Sequence, residues 1–433
     1  MTSDAHPSPA RLFDQRSSTI LARIALLLGL VYCAYLAGRQ GISAWHLRHN
    51  SSAALESALQ WNPANPQTFD DFGTLMHMYA DGGSRDKIIG SYEAATRLSP
   101  ENAQYWADLG AAYDWAGREN DALAAFHNAQ RLFPNSPDIN WRVANFYVRQ
   151  GRKAEALQSL RRVLAGGSID RREVFELAAL TTRDNKAILD DALPSQSSIL
   201  VEYLNFRILN EDIHSAMEVW HRLLELNLVF PIRAALPYLD ALIRYRELTE
   251  LQESWSALAA RFPDEIPSRS ADANLITNAS FRHDILNGGF DWRIVPRKGA
   301  EVRLDGENRL ESGQSLRIDF DGTENPYYWQ VFQYVRVQPG TPYHFSGYMR
   351  VQGITTDSGP TFEICDAYDM KKLFLSGDGL TGTSSWLRQE FHFKTSSDTD
   401  LLVVRVGRRP SQKLANKIGG TVWVENIRLE TEN

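Results

Sequence analysis

Two neighbouring stretches of this chain carry the same residues at a fixed offset, and that offset limits the fold more than any other feature. The first stretch runs Trp106, Leu109, Gly110, Tyr113, Gly117, Ala122, Phe126, Ala129 and Pro134. In the second, Val143, Ala144, Tyr147, Gly151, Ala156, Leu160 and Val163 each stand 34 residues further on. More worn copies return at intervals of 34 or 35 residues, with Tyr203, Leu204, Ala216, Trp220 and Leu223, then Tyr238, Leu239, Leu242, Leu251, Trp255, Leu258 and Pro263. Such an interval holds one helical hairpin and is too short for a domain. A single hairpin cannot bury its own apolar stripe, so the copies must stack into a solenoid. Arrays of this kind bind along a concave face. Binding, rather than chemistry, is therefore the first function to look for.

An earlier copy has Phe69, Phe72, Gly73, Met76, Tyr92, Ala95 and Pro100, with extra residues around Asp81-Gly82-Gly83-Ser84 that enlarge its turn. Ahead of it, Leu55, Ala58 and Pro63 read as a lone second helix, while residues 168–194 fit the pattern only loosely. The physical logic is consistent throughout. Small residues (Gly110, Ala144, Ala122, Ala156) let helices approach, large ones fill the gaps between hairpins, and Pro134 ends a helix by removing a backbone donor.

The order of a large residue, Leu-Gly, Tyr, Ala, Phe, Ala and Pro resembles the tetratricopeptide repeat. The resemblance covers roughly residues 50–263 and implies an all-α array over 44–263 that docks a protein partner. It also implies which residues face the groove from the first helix of each hairpin: Gln67, Asp70, Thr74, His77, Gln104, Asp114, Trp141, Asn145 and Arg149. Some members grip a carboxylate with a Lys/Asn clamp. Here the matching places hold Ala107, Ala111, Trp141 and Asn145, so that clamp is not expected. A solvated spacer face is the plainer reading of the groove, and His77 reads as a surface residue rather than a ligand or base.

Residues Ile20–Ala37 are apolar except for Arg23, long enough to cross a bilayer core of roughly 30 Å. Arg23 can snorkel to one interface, and Tyr32 with Tyr35 suits the other. The expectation is a cytoplasmic tail at 1–18 and a membrane helix at 19–38. The alternative is a cleaved signal peptide, against which stand the long lead and the bulky Tyr35 before Leu36-Ala37. Arg11, Arg16 and Arg23 before the core, against Arg39 and Arg48 after it, weakly favour an extracytoplasmic, periplasmic C-terminal part. The net charge of −7 is interspersed, which speaks against nucleic acid as a partner. Cys33 and Cys365, far apart, supply neither a disulfide framework nor a metal cluster.

Residues 264–273, with Pro267, Ser268 and Ser270, read as a linker. Beyond it the pattern alternates, as in Ser315–Phe320, Trp329–Val337, Tyr343–Val351, Thr361–Cys365, Leu387–Phe393, Leu401–Val406 and Thr421–Leu429. Around eight short strands imply an all-β sandwich over 274–433. The carrying residues Asn274-Leu275-Ile276-Thr277-Asn278, Phe281, Gln333–Gly340, Tyr343, Ser384-Ser385-Trp386 and Val422–Ile427 make this stretch resemble jelly-roll carbohydrate-binding modules. That resemblance implies a glycan ligand. In those modules an acidic residue follows the early Phe and an Asp lies in the final strand, often around calcium. Here Arg282 and Glu425 stand in those places, so no metal and no cofactor are expected.

Strand alternation separates a core set (Val335, Val337, Phe345, Met349, Phe362, Ile364) from an outward set containing Tyr334, Arg336, Tyr348, Arg350, Glu363, Arg405 and Trp423. The outward set, with loop aromatics Trp292, Tyr327, Tyr328, Trp329 and Tyr368, supplies aromatic faces and planar polar groups of the kind that hold sugars. Trp386 reads as core. Asp319, Asp321 and Glu324, or Asp366 and Asp369, would be the acids of a glycosidase, yet nothing sets two of them across a cleft. Ser280, His283 and Asp284 are close in sequence without the positioning of a triad. The reading is a non-catalytic, membrane-anchored scaffold, its array on a protein and its sandwich on a glycan, suited to envelope polysaccharide assembly or export. The rival is a pure protein-assembly factor whose sandwich is a second interaction module or a cap. A glycoside-active enzyme comes third.

Overall fold

The computed structural model describes residues 9–47, 52–78, 85–266, 273–311 and 313–432. Residues 1–8 of the expected tail, the enlarged turn at 81–84, Arg48, and residues 267–272 of the expected linker lie outside them. The chain divides into two compact units, Met1–Pro194 and Ser195–Asn433. This division falls inside the repeat region, and the last hairpin packs on the sandwich.

The first unit is all-α. Helix α1 (Pro9–Leu47) is followed by α2 (Ser52–Trp61), α3 (Pro66–Met78), α4 (Arg85–Leu98), α5 (Ala103–Trp115), α6 (Glu119–Leu132), α7 (Pro137–Arg149), α8 (Lys153–Gly166) and α9 (Arg171–Thr181). A short α10 (Asn185–Ala187) then runs into a single π-helical turn, Ile188–Ala192. Over Ile20–His46, α1 is long and apolar enough to cross a membrane, with a mean hydropathy of 2.1 in its most apolar window and none of that window buried. The second helix is not alone, as the sequence suggested. Near the end of α1, Ser43 Oγ donates to the Ala58 carbonyl at 3.1 Å and Arg39 Nε to that of Trp61 at 2.6 Å. So α2 pairs with the end of the same helix that carries the apolar span.

Local signals account for the central hairpins. The Asn102 side chain accepts from the Gln104 amide at the start of α5, and Ser136 Oγ from Ile139 ahead of Pro137 at the start of α7. Gly117 and Gly151, at φ +75° and +67°, turn the chain between paired helices in a left-handed conformation that costs glycine little. A Cβ on Gly110 would lie 2.8 Å from the Phe126 ring, and one on Gly73 would lie 2.9 Å from Tyr92. The bare backbone at these two positions is what lets α5 meet α6 and α3 meet α4. Ala122, Phe126, Ala129, Val143 and Ala156 form the buried seam, where a fully buried Phe contributes roughly 1.5–3 kcal/mol.

In the second unit, α11 (Ser197–Leu209) pairs with α12 (Ile213–Glu225), and α13 (Leu236–Tyr245) with α14 (Leu248–Arg261). Ten strands follow among the described residues: β1 (Arg293–Ile294), β2 (Ala300–Asp305), β3 (Ser315–Asp321), β4 (Tyr328–Arg336), β5 (Pro342–Ile354), β6 (Thr361–Asp366), β7 (Phe374–Ser376), β8 (Gly382–Lys394), β9 (Leu401–Arg408) and β10 (Gly419–Thr431). They form two five-stranded antiparallel sheets, β1-β4-β9-β6-β7 and β2-β3-β10-β5-β8. Val335, Val337, Phe345, Met349, Phe362 and Ile364 lie in the core between them, as their alternation implied. Trp386 does not: it sits half-buried on β8, an edge strand whose partner β5 is bulged on both sides of Val351.

The sandwich and the last hairpin form a single packed body. Gly288 and Gly289 lie so close to α13 and α14 that a Cβ would meet Leu236 at 2.9 Å and Trp255 at 2.4 Å. Trp255 meets Phe290 edge-on at 5.9 Å, and Arg233 reaches the Leu286 carbonyl at 3.3 Å. Arg293 of β1, buried, pairs with Asp240 of α13 and lies 4.7 Å over the Tyr334 ring.

Candidate functional site

Two surfaces carry clustered polar chemistry: the first-helix stripe of the array and the outer faces of the sandwich. On α3, residues 67, 70, 71 and 74 fall on one stripe because i, i+3, i+4 and i+7 share a helix face. Gln67 accepts from the Tyr105 hydroxyl at 3.0 Å and donates to Asp71 at 2.9 Å. Thr74 shares a 3.1 Å hydrogen bond with the Tyr92 hydroxyl. On α5, Gln104 donates to Asp108 at 3.1 Å, and Arg142 of α7 forms an ion pair with the same carboxylate. Arg142 also reaches Asp138 at 3.2 Å. Further along, Arg149 holds Asp114 at 2.5 Å, and Asn145 donates to the Trp141 carbonyl at 2.9 Å.

Among these groups Asp70 is the exception. It is only 8% exposed, and its Oδ1 has no hydrogen-bond partner in the protein. Burial, then the neighbouring Asp108 and Asp71, push its carboxyl up to about 7, with Arg142 pulling the other way. Burial also raises Asp108, against the pull of Arg142.

Every groove residue named from the sequence lies on a first helix. His77 spends its ring on Trp115, 4.7 Å away, and Arg85 lies over the same indole at 5.0 Å. Asp108 and Arg142 were missed. Their separation of 34 residues was the available signal, since side chains one repeat apart face each other across neighbouring first helices.

The sandwich corrects much of the expected glycan face. Trp292 and Tyr328 are fully buried, Trp292 against Phe281 at 5.4 Å and Tyr328 edge-on to Phe320 at 5.2 Å. The reason for Tyr328 is an irregularity in β4 between Tyr328 and Val331, which turns both inward and leaves Trp329, between them, outside. Trp423 does point outward from β10 but is covered. Its indole donates to Asp305 at 2.8 Å, and Arg350 and Arg317 lie over its ring at 4.9 and 5.3 Å. Glu425 folds the loop after β2 over this face by accepting from the Leu310 and Glu311 amides, at 2.5 and 3.0 Å. The carboxylate at the place of the resemblance's calcium ligand is thus spent on backbone.

On the other sheet, Glu363 and Arg405 are buried and hold each other at 2.7 Å, and Arg405 donates on to Tyr327 at 2.6 Å. The Tyr368 hydroxyl donates to the Ile243 carbonyl of α13 at 2.8 Å, with Arg246 4.2 Å over the ring. Tyr348 is half-buried, and Arg350 donates to Asn308 at 3.2 Å. Of the nine named residues Trp329 is the most open, at 37% exposed, while Tyr348, Arg350 and Tyr368 are half-buried and the other five are buried. Separately, Tyr327 and Met370, 38% and 43% exposed, form a shallow hollow with Phe374, Lys371 and Arg409. Arg409 lies 5.5 Å over the Phe374 ring.

The carboxylates considered for catalysis are engaged in structure. Burial alone would raise Asp366, but the Thr399 hydroxyl and the Asp369 and Tyr368 amides hold it below the ordinary range. Thr323 does the same for Asp321. Asp319 accepts from Arg317 at 2.8 Å and from Thr421 at 2.6 Å. A general acid needs its proton retained near neutral pH, and these groups are pushed the opposite way.

Residues 116–168 match the tetratricopeptide repeat family. This stretch thus carries a tetratricopeptide repeat. Protein O-mannosyl-transferase TMTC1 of Mus musculus is 34% identical over 100 residues, which is 22% of this chain and 11% of that protein. The chain thus spans only about a tenth of that relative's length. The crystal structure of the MamA protein aligns with 46% of this chain and 98% of its own, at 16% identity and a TM-score of 0.31. A family 16 carbohydrate-binding module aligns with 36% of this chain and 99% of its own, at 17% identity and a TM-score of 0.26.

Proposed function

We propose that this chain is a non-catalytic, membrane-anchored scaffold whose repeat array docks a protein partner along the first-helix stripe. The observation that carries it is the polar ladder from Gln67 through Asp70, Asp108 and Arg142 to Asp114 and Arg149. It offers carboxylates, an amide and two guanidinium groups to an extended segment, without a nucleophile and base in reach of one another. Residues 19–38 anchor the chain, and the array and sandwich lie on the extracytoplasmic, periplasmic side. The sandwich meets a glycan through the hollow of Tyr327, Met370 and Phe374, with Trp329 exposed elsewhere on β4, in polysaccharide assembly or export. Aromatic rings stack on the apolar faces of sugar rings, and Arg409 and Lys371 suit an acidic glycan. Glycan-array binding by the full chain in lipid nanodiscs tests this half. Changing Tyr327, Met370 and Phe374 together to Ala is expected to lower retention at least tenfold; unchanged retention refutes the hollow.

The second reading, a protein-assembly factor with the sandwich as a cap, is favoured by the packing of α13 and α14 on the sandwich. The Arg293–Asp240 pair and the Tyr368–Ile243 hydrogen bond place part of the expected sugar face under a helix. Arrays that end openly need a polar terminal unit, which the sandwich then supplies. Partner capture that survives the triple-Ala change, with no glycan retained by either protein, selects this reading.

A further inference from the structure

The docking stripe is not electrically uniform, and its imbalance has a fixed location. Around Asp70 stand Asp71 and Thr74 on α3, Tyr92 on α4, Tyr105 and Asp108 on α5, and Arg142 on α7. Three carboxylates thus meet one guanidinium, and that guanidinium is already bound to Asp108 and Asp138. Asp70 keeps a buried oxygen without any hydrogen bond from the protein. Burying a carboxylate without a partner costs far more than burying one that is paired. Of the groups around it, Tyr92 is engaged with Thr74 and Tyr105 with Gln67, so neither is spare. Gln67 and Thr74, one helical turn to either side on the same stripe, are exposed, so the carboxylate lies beneath a face that a partner can reach.

We propose that this position receives a single cationic side chain, a lysine or arginine, of the segment docked along the array. The cation seats over the Asp70 carboxylate between Gln67 and Thr74 and finds Asp71 and Asp108 within its field, restoring charge balance to the stripe. This rests on the docking role proposed above and specifies its partner. The fit is opposite in sign to a carboxylate clamp: the array selects a basic residue rather than a chain terminus. Lysine reaches the site as a point charge, whereas arginine can share both Asp70 and Asp108 through its planar fork.

The test is a display selection on the full chain in lipid nanodiscs, using random dodecapeptides at low ionic strength. Wild type is run beside Asp70→Asn and Arg142→Gln. Circular dichroism establishes that both variants keep their helices. The expected result is a single basic position in the peptides chosen by wild type, at least fivefold enriched over the input. Asp70→Asn loses that enrichment. Arg142→Gln strengthens it, because Asp108 is freed, and a lysine-to-arginine ratio read at that position separates the two cations. Peptides chosen without a basic position, or with the same enrichment in Asp70→Asn, overturn the inference and leave peptide docking in place. Selection of no peptide by any of the three proteins overturns docking as well.

Discussion

At the scale of single residues, two positions hold the array in a particular balance. Gly110 is needed because the Phe126 ring occupies the place of its side chain, and Phe126, 1% exposed, has nowhere to move. Gly110→Val is expected to destabilise the first unit by about 1–3 kcal/mol, the ordinary cost of overpacking, read as a lower urea midpoint. Asp70 acts through charge. Its carboxyl, ordinarily near 3.8, is pushed up to about 7 in the folded chain. Between those two values the folded state keeps a proton that the unfolded state has released, so stability falls as pH rises through this window and levels off above it. Asp70→Asn removes the term. The variant is expected to melt a few degrees higher than wild type at pH 8, since about 1 kcal/mol is worth roughly 2–4 °C in a unit of this size, and to match it near pH 4. A melting difference that does not change with pH contradicts the assignment. Glycine was legible at Gly110 because its offset recurs. The charge state of Asp70 was not, because burial and the approach of Asp108 arise only once α3 and α5 are stacked.

At the scale of elements, the sandwich separates what alternation can and cannot tell. It identified the core residues of β4 and β5 because those strands alternate over much of their length, whereas every residue of β6 is buried, so alternation there picked out Phe362 and Ile364 but wrongly set Glu363 outside. It did not reach Tyr328, which was read as a loop residue but opens β4 at an irregularity that turns it inward, and at Trp423 the phase is right but the outward face is covered. It also could not reveal β1 and β7, each too short to show a period. The covering of Tyr368 by α13, and of Tyr334 by Arg293, has no local signal in either segment. It depends on Arg293, whose partner Asp240 lies in another element far along the chain. Arg293 is buried while Asp240 is partly open, so Arg293→Ala is expected to cost about 1–3 kcal/mol, less than a fully buried pair. Hydrogen exchange is the readout: the amides of α13 exchange faster in the variant and those of β6 and β9 do not. Equal protection of α13 in both proteins would mean that the pair does not fasten the hairpin to the sandwich.

At the scale of the whole molecule, one continuous helix carries both the apolar span and the first contacts of the array, through Arg39 and Ser43 to α2. Inserting two glycines between Ala37 and Gly38 is expected to leave membrane association intact, because the apolar stretch stays whole, and to loosen the array's attachment to it. Protease accessibility of a C-terminal tag in intact spheroplasts is expected to place the sandwich outside; protection until permeabilisation would contradict the extracytoplasmic placement. The repeat architecture and the two-sheet domain were legible at this scale, since each rests on a period maintained over many residues. What the stripe meets was not, because a docking surface is defined by side chains brought together from α3, α5 and α7. The most direct measurement is site-specific photocrosslinking in living cells from Thr74 and Trp141 on the stripe, compared with Arg97 and Arg131, which are exposed on second helices. Docking along the stripe predicts a discrete adduct of one size from the first pair and none from the second. Adducts from all four positions alike, or only from Arg97 and Arg131, would contradict it.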